Sequence, residues 1–561
     1  MTFFEKYILK NGRVFIVTED GDEFDFCQEF RVATTYRRLD SNKREVEIEL
    51  IQDDGSKETF IMPRRTMLEP LSTMVEHGLS VSKIRDHEVS VSEILYDMEK
   101  KATVVYKHSK LGFLKVGGRE IFLAHHPIGE TNPKKALSEY IDPEITKPMG
   151  TLDSWCDFVT KEIVSHPNME LALAIGGVAP VAHLLREDGI ISDIPIIALV
   201  GPSTSGKTDS LKTMASIYGS TKESDGIIRD LNSTQNAFFA QLGNSKGTPA
   251  LIDEISSVPE WDFTKIIYNL PKGHDKRRCN GDGEVKKPIT YSGAIVFTGE
   301  YSLLEQTNAN QGLHARILEL TLPWTDDGDH SRRIEAGCQK NYGTAVQPYV
   351  EWLMKNRGCL ADEFEAQYSF LLEALDDLTE IESRLLKISA MIMVSAVVMK
   401  ASLKIPLNID GIRDVLINHH EEKKQARDPI EQAFEKIKAQ LMDNWNKFPK
   451  KDSFLIANSI YGFRETHECR NVVWIFESTF KQWFAKAGIT DFKGYIRAFA
   501  NKGWIYKKKE NRHYTVTRKV QGLPMTCYGI WLNEVVISKP KKNKKHKGSQ
   551  IKKLLSEVEE D

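Results

Sequence analysis

Over the first part of the chain, apolar and polar residues alternate in short runs bounded by turn residues. Phe30 to Arg38 and Arg44 to Gln52 read as strands, Asp53-Asp54-Gly55-Ser56 as a turn, and Glu58 to Pro63 as the return strand, because a period of two puts one face of each strand on a core. Gly117-Gly118 predicts a second hairpin. Residues 1–125 are thus expected to form a β-rich N-terminal region, and no motif in it points to chemistry. The period then changes. Leu152 to Ser165 and Met169 to Arg186 carry apolar residues at helical spacing and lead into the short apolar strand Ile194 to Val200. From Ile194 to about Trp324, apolar strands alternate with helical segments, as a parallel sheet covered on both faces requires. Residues 345–429 are helical in pattern. Residues 430–538 mix helices with late strands, and 539–561 form a lysine-rich tail.

The 561 residues exceed what one hydrophobic core serves, so about three or four domains are expected. With 41% apolar and 28% charged residues the chain is expected to be globular. Ile388 to Met399, between Lys387 and Lys400, falls short of the roughly 20 apolar residues that cross a bilayer. It reads as a buried helix, and no membrane partner is expected. The 7 cysteines show no C-x-x-C spacing, which argues against a zinc ribbon or a disulfide framework. A reducing, cytoplasmic location fits, since the N-terminus lacks a signal-peptide pattern. The net charge of -3 hides an asymmetry: Ile430 onward carries a net +12 and the rest -15. The C-terminal part is therefore the candidate for meeting polyanions.

Gly201-Pro202-Ser203-Thr204-Ser205-Gly206-Lys207-Thr208 fits G-x-x-x-x-G-K-[ST], directly after an apolar strand and directly before a helical stretch. Glycines let successive backbone N–H groups curl around a β-phosphate, Lys207 reaches the β- and γ-phosphates, and the Thr208 hydroxyl ligates magnesium. ATP and Mg2+ are the expected ligands. The strand Ala250 to Ile252 ends in Asp253-Glu254: Asp253 would hold the magnesium, and Glu254 would act as general base on the attacking water. Gly293 to Phe297 closes in Thr298-Gly299-Glu300, where ATPases of the AAA+ superfamily carry a polar sensor, so Thr298 would orient that water. Arg316, just before the strand Ile317 to Leu320, sits where such proteins place an arginine finger for a neighbouring subunit's γ-phosphate. A finger implies a homo-oligomer. Arg384 or Arg413 would be a second sensor, each weighed against an ordinary solvated helix charge.

Between Asp253 and Thr298 lies a turn-rich basic stretch with Lys276, Arg277, Arg278, Lys286 and Lys287 around Asn280-Gly281-Asp282-Gly283. That is a hairpin signal, and its cations would grip the phosphates of a DNA strand without regard to sequence. Near the C-terminus, Ser478 to Ala487 and Phe492 to Asn501 read as helices. Strand Trp504 to Tyr506, a basic turn and strand Tyr514 to Thr517 follow. This is the order of a winged helix, with Lys493, Arg497 and Lys502 on its second helix and Lys507, Lys508, Lys509 and Arg512 on its wing facing DNA. The tail Lys539 to Lys547 reads as a flexible basic segment.

These motifs together resemble the self-loading replicative helicases, Cch or Rep proteins, of staphylococcal cassette chromosomes and pathogenicity islands, AAA+ ATPases related to the MCM motors. The resemblance rests on residues 100–325, above all on the basic hairpin before Ser292-Gly-Ala-Ile-Val-Phe-Thr-Gly-Glu300 and on the placing of Arg316. It implies a multidomain α/β protein: an AAA+ P-loop core over 126–344, a helical lid over 345–429 and a C-terminal winged helix over 430–538. It also implies a hexameric ring that loads at an origin, threads one DNA strand and unwinds the duplex with ATP, alongside other replication proteins. One departure is Thr298, where MCM-type motors commonly have Asn. The alternative reading is an AAA+ origin-binding switch or helicase loader that binds DNA without unwinding it.

Overall fold

The computed structural model describes residues 6–532 apart from 19, 83–86, 131–134, 140–141, 223–225, 231–234, 244, 256–262, 276–287, 305–310, 377, 428, 452–459, 468–469, 488, 490, 508–513 and 521–522. The N-terminal region is β-rich, as its alternation predicts. Lys6–Lys10, Arg13–Val17 and Glu23–Gln28 make one antiparallel sheet. A second sheet runs Leu137–Ser138, Thr103–His108, Phe30–Arg38, Arg44–Ile51, Lys57–Pro63. Val14, Phe26, Phe30, Ile48, Leu50 and Leu95 form their common core. The hairpin turning at Gly117-Gly118 packs elsewhere. Its strand Leu111–Val116 pairs in parallel with Ser245–Lys246, and its Phe113 and Phe122 join the core of the central region.

That central region is built on a parallel sheet of Ile196–Val200 (β1), Ile228–Arg229 (β2), Ala250–Ile252 (β3), Ile295–Gly299 (β4) and Leu318–Leu320 (β5), in the order β2-β3-β4-β1-β5. Every residue of β1 and β4 is buried, which explains their unbroken apolar runs: a strand covered on both faces has no polar side. Ile197, Leu199, Leu251 and Val296 face one helical layer, while Ile196, Ala198, Ile252 and Phe297 face Phe238, Phe239, Ile266 and Leu313 on the other.

The stretch Met169 to Arg186, expected as one helix, is two: Pro167–Gly176 and Val178–Glu187, bent by 45°. Two residues cause it: Pro180 has no N–H to return to the Gly176 carbonyl, and Gly177 sits where a neighbouring helix crosses. Helix Glu380–Leu403 crosses so closely that a Cβ there would lie 2.4 Å from both Met399 Cε and Ser395 Oγ. Ser395 Oγ–H donates to the Ala174 carbonyl and Tyr349 Oη–H to that of Gly177, both at 2.7 Å. Helix Glu380–Leu403 has 24 residues, long and apolar enough by length and composition to cross a membrane, but 83% of its apolar window is buried inside the protein, as expected for Ile388 to Met399. Helices Val346–Lys355, Leu360–Ala374 and Glu380–Leu403 share one core with the helices of 152–187 and with one sheet face. The segment read as a lid therefore continues that layer rather than closing on a core of its own.

In the C-terminal part the helix pair appears as Glu477–Lys486 and Phe492–Asn501, packed with Pro429–Asp443 around Phe434, Phe480, Phe484 and Phe499. The strand pairing differs from expectation. Trp504 to Tyr506 does not pair with Tyr514 to Thr517. Instead Val516–Val520 pairs with Leu523–Trp531, Ile505 bridges Ile530, and Gly462–His467 and Arg470–Phe476 complete a four-stranded sheet. Leu523–Trp531, buried from Cys527 to Ile530, takes the inner position because it offers the longer apolar run. The tail 539–561 lies outside the described residues.

Candidate active site

The loop Gly201–Gly206 leaves the carboxyl end of β1 and runs into helix Lys207–Ser216. Open parallel sheets bind ligands at this edge, and the helix presents unpaired N–H groups there. Gly206 holds φ at 81° beneath the segment Pro323–Thr325, and a Cβ on it would lie 2.6 Å from Thr325 Oγ1. Trp324 N–H donates to the Ser205 carbonyl at 2.8 Å, so this segment backs the loop. Pro202, Ser203 and Thr204 are exposed at its tip.

Lys207 is buried, and its ammonium donates to the Gly201 and Pro202 carbonyls at 2.7 and 2.8 Å. Burial pulls its pKa below the usual lysine value, and the charges of Glu254, Glu300 and Asp253 oppose that shift. At the adjacent strand ends, Thr208 Oγ1–H points to Asp253 Oδ2 at 3.4 Å. Thr298, 1% exposed, uses its hydroxyl fully: Oγ1–H donates to Asp253 Oδ1 at 2.5 Å, and Oγ1 accepts Glu254 N–H at 2.9 Å. Glu254 is exposed and sits at φ 54°, a left-handed conformation for a residue with a side chain.

The sequence-predicted residues Lys207, Thr208, Asp253, Glu254 and Thr298 thus meet at one edge of the sheet. Sequence reasoning missed Glu300, whose carboxylate accepts from Ser203 Oγ–H, although it lies in the quoted Thr298-Gly299-Glu300. It also missed the backing segment Pro323–Thr325, which no local motif marks.

The residues fit a nucleotide with magnesium. Three carboxylates act on one ammonium, leaving negative charge for a divalent cation to balance. The Ser205 hydroxyl is buried in the loop without a hydrogen-bond partner. Thr208 and Asp253 offer the hard oxygen ligands magnesium takes.

Arg316 is not at this edge. It precedes β5, lines a cleft with Ile194, Pro195, Arg384 and Lys387, and stacks its guanidinium 4.6 Å from the Tyr268 ring centre. That is the amino end of β1, roughly 16 Å along the strand from the phosphate loop. Arg384 shares this cleft, so it cannot serve as a second sensor for the protomer's own site. Arg413 pairs with Asp410 and lies 4.3 Å from the Phe370 ring, largely buried against its own helical layer.

Lys276, Arg277, Arg278, Lys286 and Lys287 fall outside the described residues. The flanks do pair, with His274 bridging Thr290 antiparallel and Asp275 N–H donating to the Ile289 carbonyl at 2.9 Å. Lys493 and Arg497 are exposed one turn apart on helix Phe492–Asn501, and Lys507 is exposed after it. Lys508, Lys509 and Arg512 lie outside the described residues. Lys502 is tied internally, paired with Glu431 at 3.0 Å and set over the Trp504 ring.

Residues 12–290 match the family model of a domain of unknown function, DUF927, and residues 428–534 match that of the Cch helix-turn-helix domain. No curated protein matches by sequence. Among solved structures, the SCCmec type IV Cch, described as an active helicase, superposes with a TM-score of 0.73 at 20% identity, covering 95% of this chain and 98% of that one. A JCV helicase aligns over 43% of this chain and 65% of its own at 10% identity, with a TM-score of 0.22, too low to bear on the fold. The chain thus shares the fold of that Cch over nearly its whole length, and its residues 428–534 match the Cch helix-turn-helix domain.

Proposed function

We propose that the protein is an ATP-driven DNA helicase of AAA+ type, working as a hexameric ring in the manner its resemblance implies, that loads at an origin and moves along one strand. The observation that carries this is the convergence of Lys207, Thr208, Asp253, Glu254 and Thr298 at the carboxyl edge of β1, β3 and β4. The fold shared with a Cch helicase supports it.

The backbone of Gly201–Thr208 cradles the β-phosphate, and Lys207 exchanges its carbonyl partners for phosphate oxygens. Thr208 and Asp253 would hold magnesium, which screens charge on the phosphates when bound. Glu254 accepts the proton of the attacking water, and Thr298 fixes Glu254 through its backbone N–H. Arg316, out of reach of its own loop, stabilises charge on the γ-phosphate of the adjacent protomer. The site is then complete only between subunits, which couples hydrolysis to relative motion of neighbours. The basic stretch 276–287 grips the strand, and Lys493, Arg497 and Lys507 dock the C-terminal domain on DNA phosphates.

Unwinding of a forked duplex by the full chain tests this. Wild type displaces the strand with ATP, whereas Glu254→Gln binds nucleotide and leaves the duplex intact. An origin-binding switch or loader would bind the fork and hydrolyse ATP without displacing either strand, and that result would sink the proposal.

A further inference from the structure

Away from the nucleotide, three ligand-type side chains from distant parts of the chain converge. His166, Asp326 and His330 each bring one candidate ligand atom within 4.8 Å of the others. His166 immediately precedes helix Pro167–Gly176 and is aimed by Ser165, which holds φ at 75° with its N–H bonded to the buried Glu170 carboxylate at 2.7 Å. Asp326 directly follows the segment that backs the phosphate loop. His330 lies in the first turn of helix Gly328–Lys340, fixed by its N–H to the Asp327 carboxylate at 2.7 Å.

The spacing of the cluster and the tautomer of His330 suit a metal, which would take the place of the hydrogen now shared by His166 Nδ1 and Asp326 Oδ2. His166 Nδ1 lies 2.9 Å and His330 Nδ1 3.9 Å from Asp326 Oδ2. Ligand atoms around a tetrahedral zinc ion with bonds of about 2.05 Å stand about 3.3 Å apart, between those two values. His330 Nε2 lies 2.8 Å from the Glu162 carbonyl. A carbonyl only accepts, so Nε2 carries the hydrogen and Nδ1 turns its lone pair toward Asp326, the arrangement by which a backbone carbonyl orients a ligating histidine. That lone pair accepts the Asp326 N–H at 3.3 Å, a long bond that a metal would displace. His330 is 1% exposed, His166 29% and Asp326 66%: an interior anchor with solvent left for water ligands. The Glu162 carboxylate is taken up by Arg333 at 2.7 Å and Lys161 at 3.4 Å, so it adds no ligand.

The geometry points to a transition-metal site, matched to Zn2+ by two imidazoles and a carboxylate, at His166, Asp326 and His330. It is separate from the oxygen-ligand magnesium position at Thr208 and Asp253. Its placement gives it work. Asn168 Nδ2–H donates to the Pro323 carbonyl at 2.7 Å and Trp324 N–H to the Ser205 carbonyl at 2.8 Å. A metal at Asp326 therefore pins the segment behind the phosphate loop to two helices at once, and its loss loosens the support of Gly206.

The test uses the full-length protein, stripped with chelator and titrated with Co2+ in saturating Mg2+, which fills the oxygen-ligand position. Visible absorption and Tm are followed. Wild type should take up one equivalent with the intense bands of low-coordinate, nitrogen-ligated Co2+, release it to Zn2+, and gain Tm with Zn2+. His166→Ala and Asp326→Asn, both on the solvent side, should keep the wild-type circular dichroism, bind more than about tenfold more weakly and lose the Tm gain. Equal Co2+ stoichiometry and spectra in wild type and both variants would overturn the site, leaving a histidine–aspartate hydrogen bond.

Discussion

Replacing Thr298 by Val keeps the shape of a buried side chain and removes one hydroxyl, so it isolates what that hydroxyl does. Thr298 Oγ1 bonds Asp253 Oδ1 and Glu254 N–H at once, at 2.5 and 2.9 Å. Glu254 is held at φ 54°, a conformation costing about 1–3 kcal/mol for a residue with a side chain. The bond to the charged Asp253 contributes about 1.5–3 kcal/mol net and the neutral bond to Glu254 N–H about 1 kcal/mol. With the hydroxyl gone, Glu254 relaxes by about 2 kcal/mol, which lowers the competent population roughly 30-fold. The expected outcome for Thr298→Val is a kcat for ATP hydrolysis down roughly 30-fold with KM changed less than about threefold, because the phosphate loop is untouched. Thr298→Ser, which retains the hydroxyl, should stay near wild type. Steady-state phosphate release measures both, with circular dichroism as a check on folding. A folded Thr298→Val enzyme with wild-type kcat would show that the hydroxyl does not position Glu254.

Gly206→Ala forces φ 81° on a side chain and drives its Cβ to 2.6 Å from Thr325 Oγ1, so nucleotide affinity measured by fluorescent-analogue titration should fall by more than about tenfold. Arg316→Ala and Lys207→Ala should each be inactive alone. Mixed in equal amounts they should recover about a quarter of wild-type ATPase, since a quarter of random interfaces pair an intact loop with an intact Arg316; no recovery would place Arg316 outside the neighbour's site. Lys493→Ala and Arg497→Ala should each lower the slope of log affinity against log salt by about one for duplex DNA, with no change in ATPase in the absence of DNA.

What was legible in the sequence is what short-range physics enforces. Gly201–Thr208 needs glycine where the chain turns tightly around phosphate, and β1 and β4 are apolar because both their faces are covered. Asp253, Glu254 and Thr298 were legible for the same reason: each ends a buried strand. Where long-range packing decides, the pattern was silent. The need for glycine at 177 is set by Met399 and Ser395, more than 200 residues away, although Pro180 does mark a helix break locally. The strand pairing of the C-terminal sheet turned on which apolar run won the inner position, and alternation within one segment does not encode its partner. The His166, Asp326 and His330 cluster spans two segments with no motif spacing, and only the fold assembles it.

In the proposed ring, ATP sits between the phosphate loop of one protomer and Arg316 of the next. Electron microscopy of the full chain with a non-hydrolysable ATP analogue and forked DNA tests it most directly. The expected image is a ring with nucleotide phosphate on Gly206 and Lys207, the adjacent protomer's guanidinium about 3 Å from the γ-phosphate, and one DNA strand in the channel. A monomer that holds nucleotide with Arg316 facing solvent, or a ring whose channel holds no DNA, would contradict it.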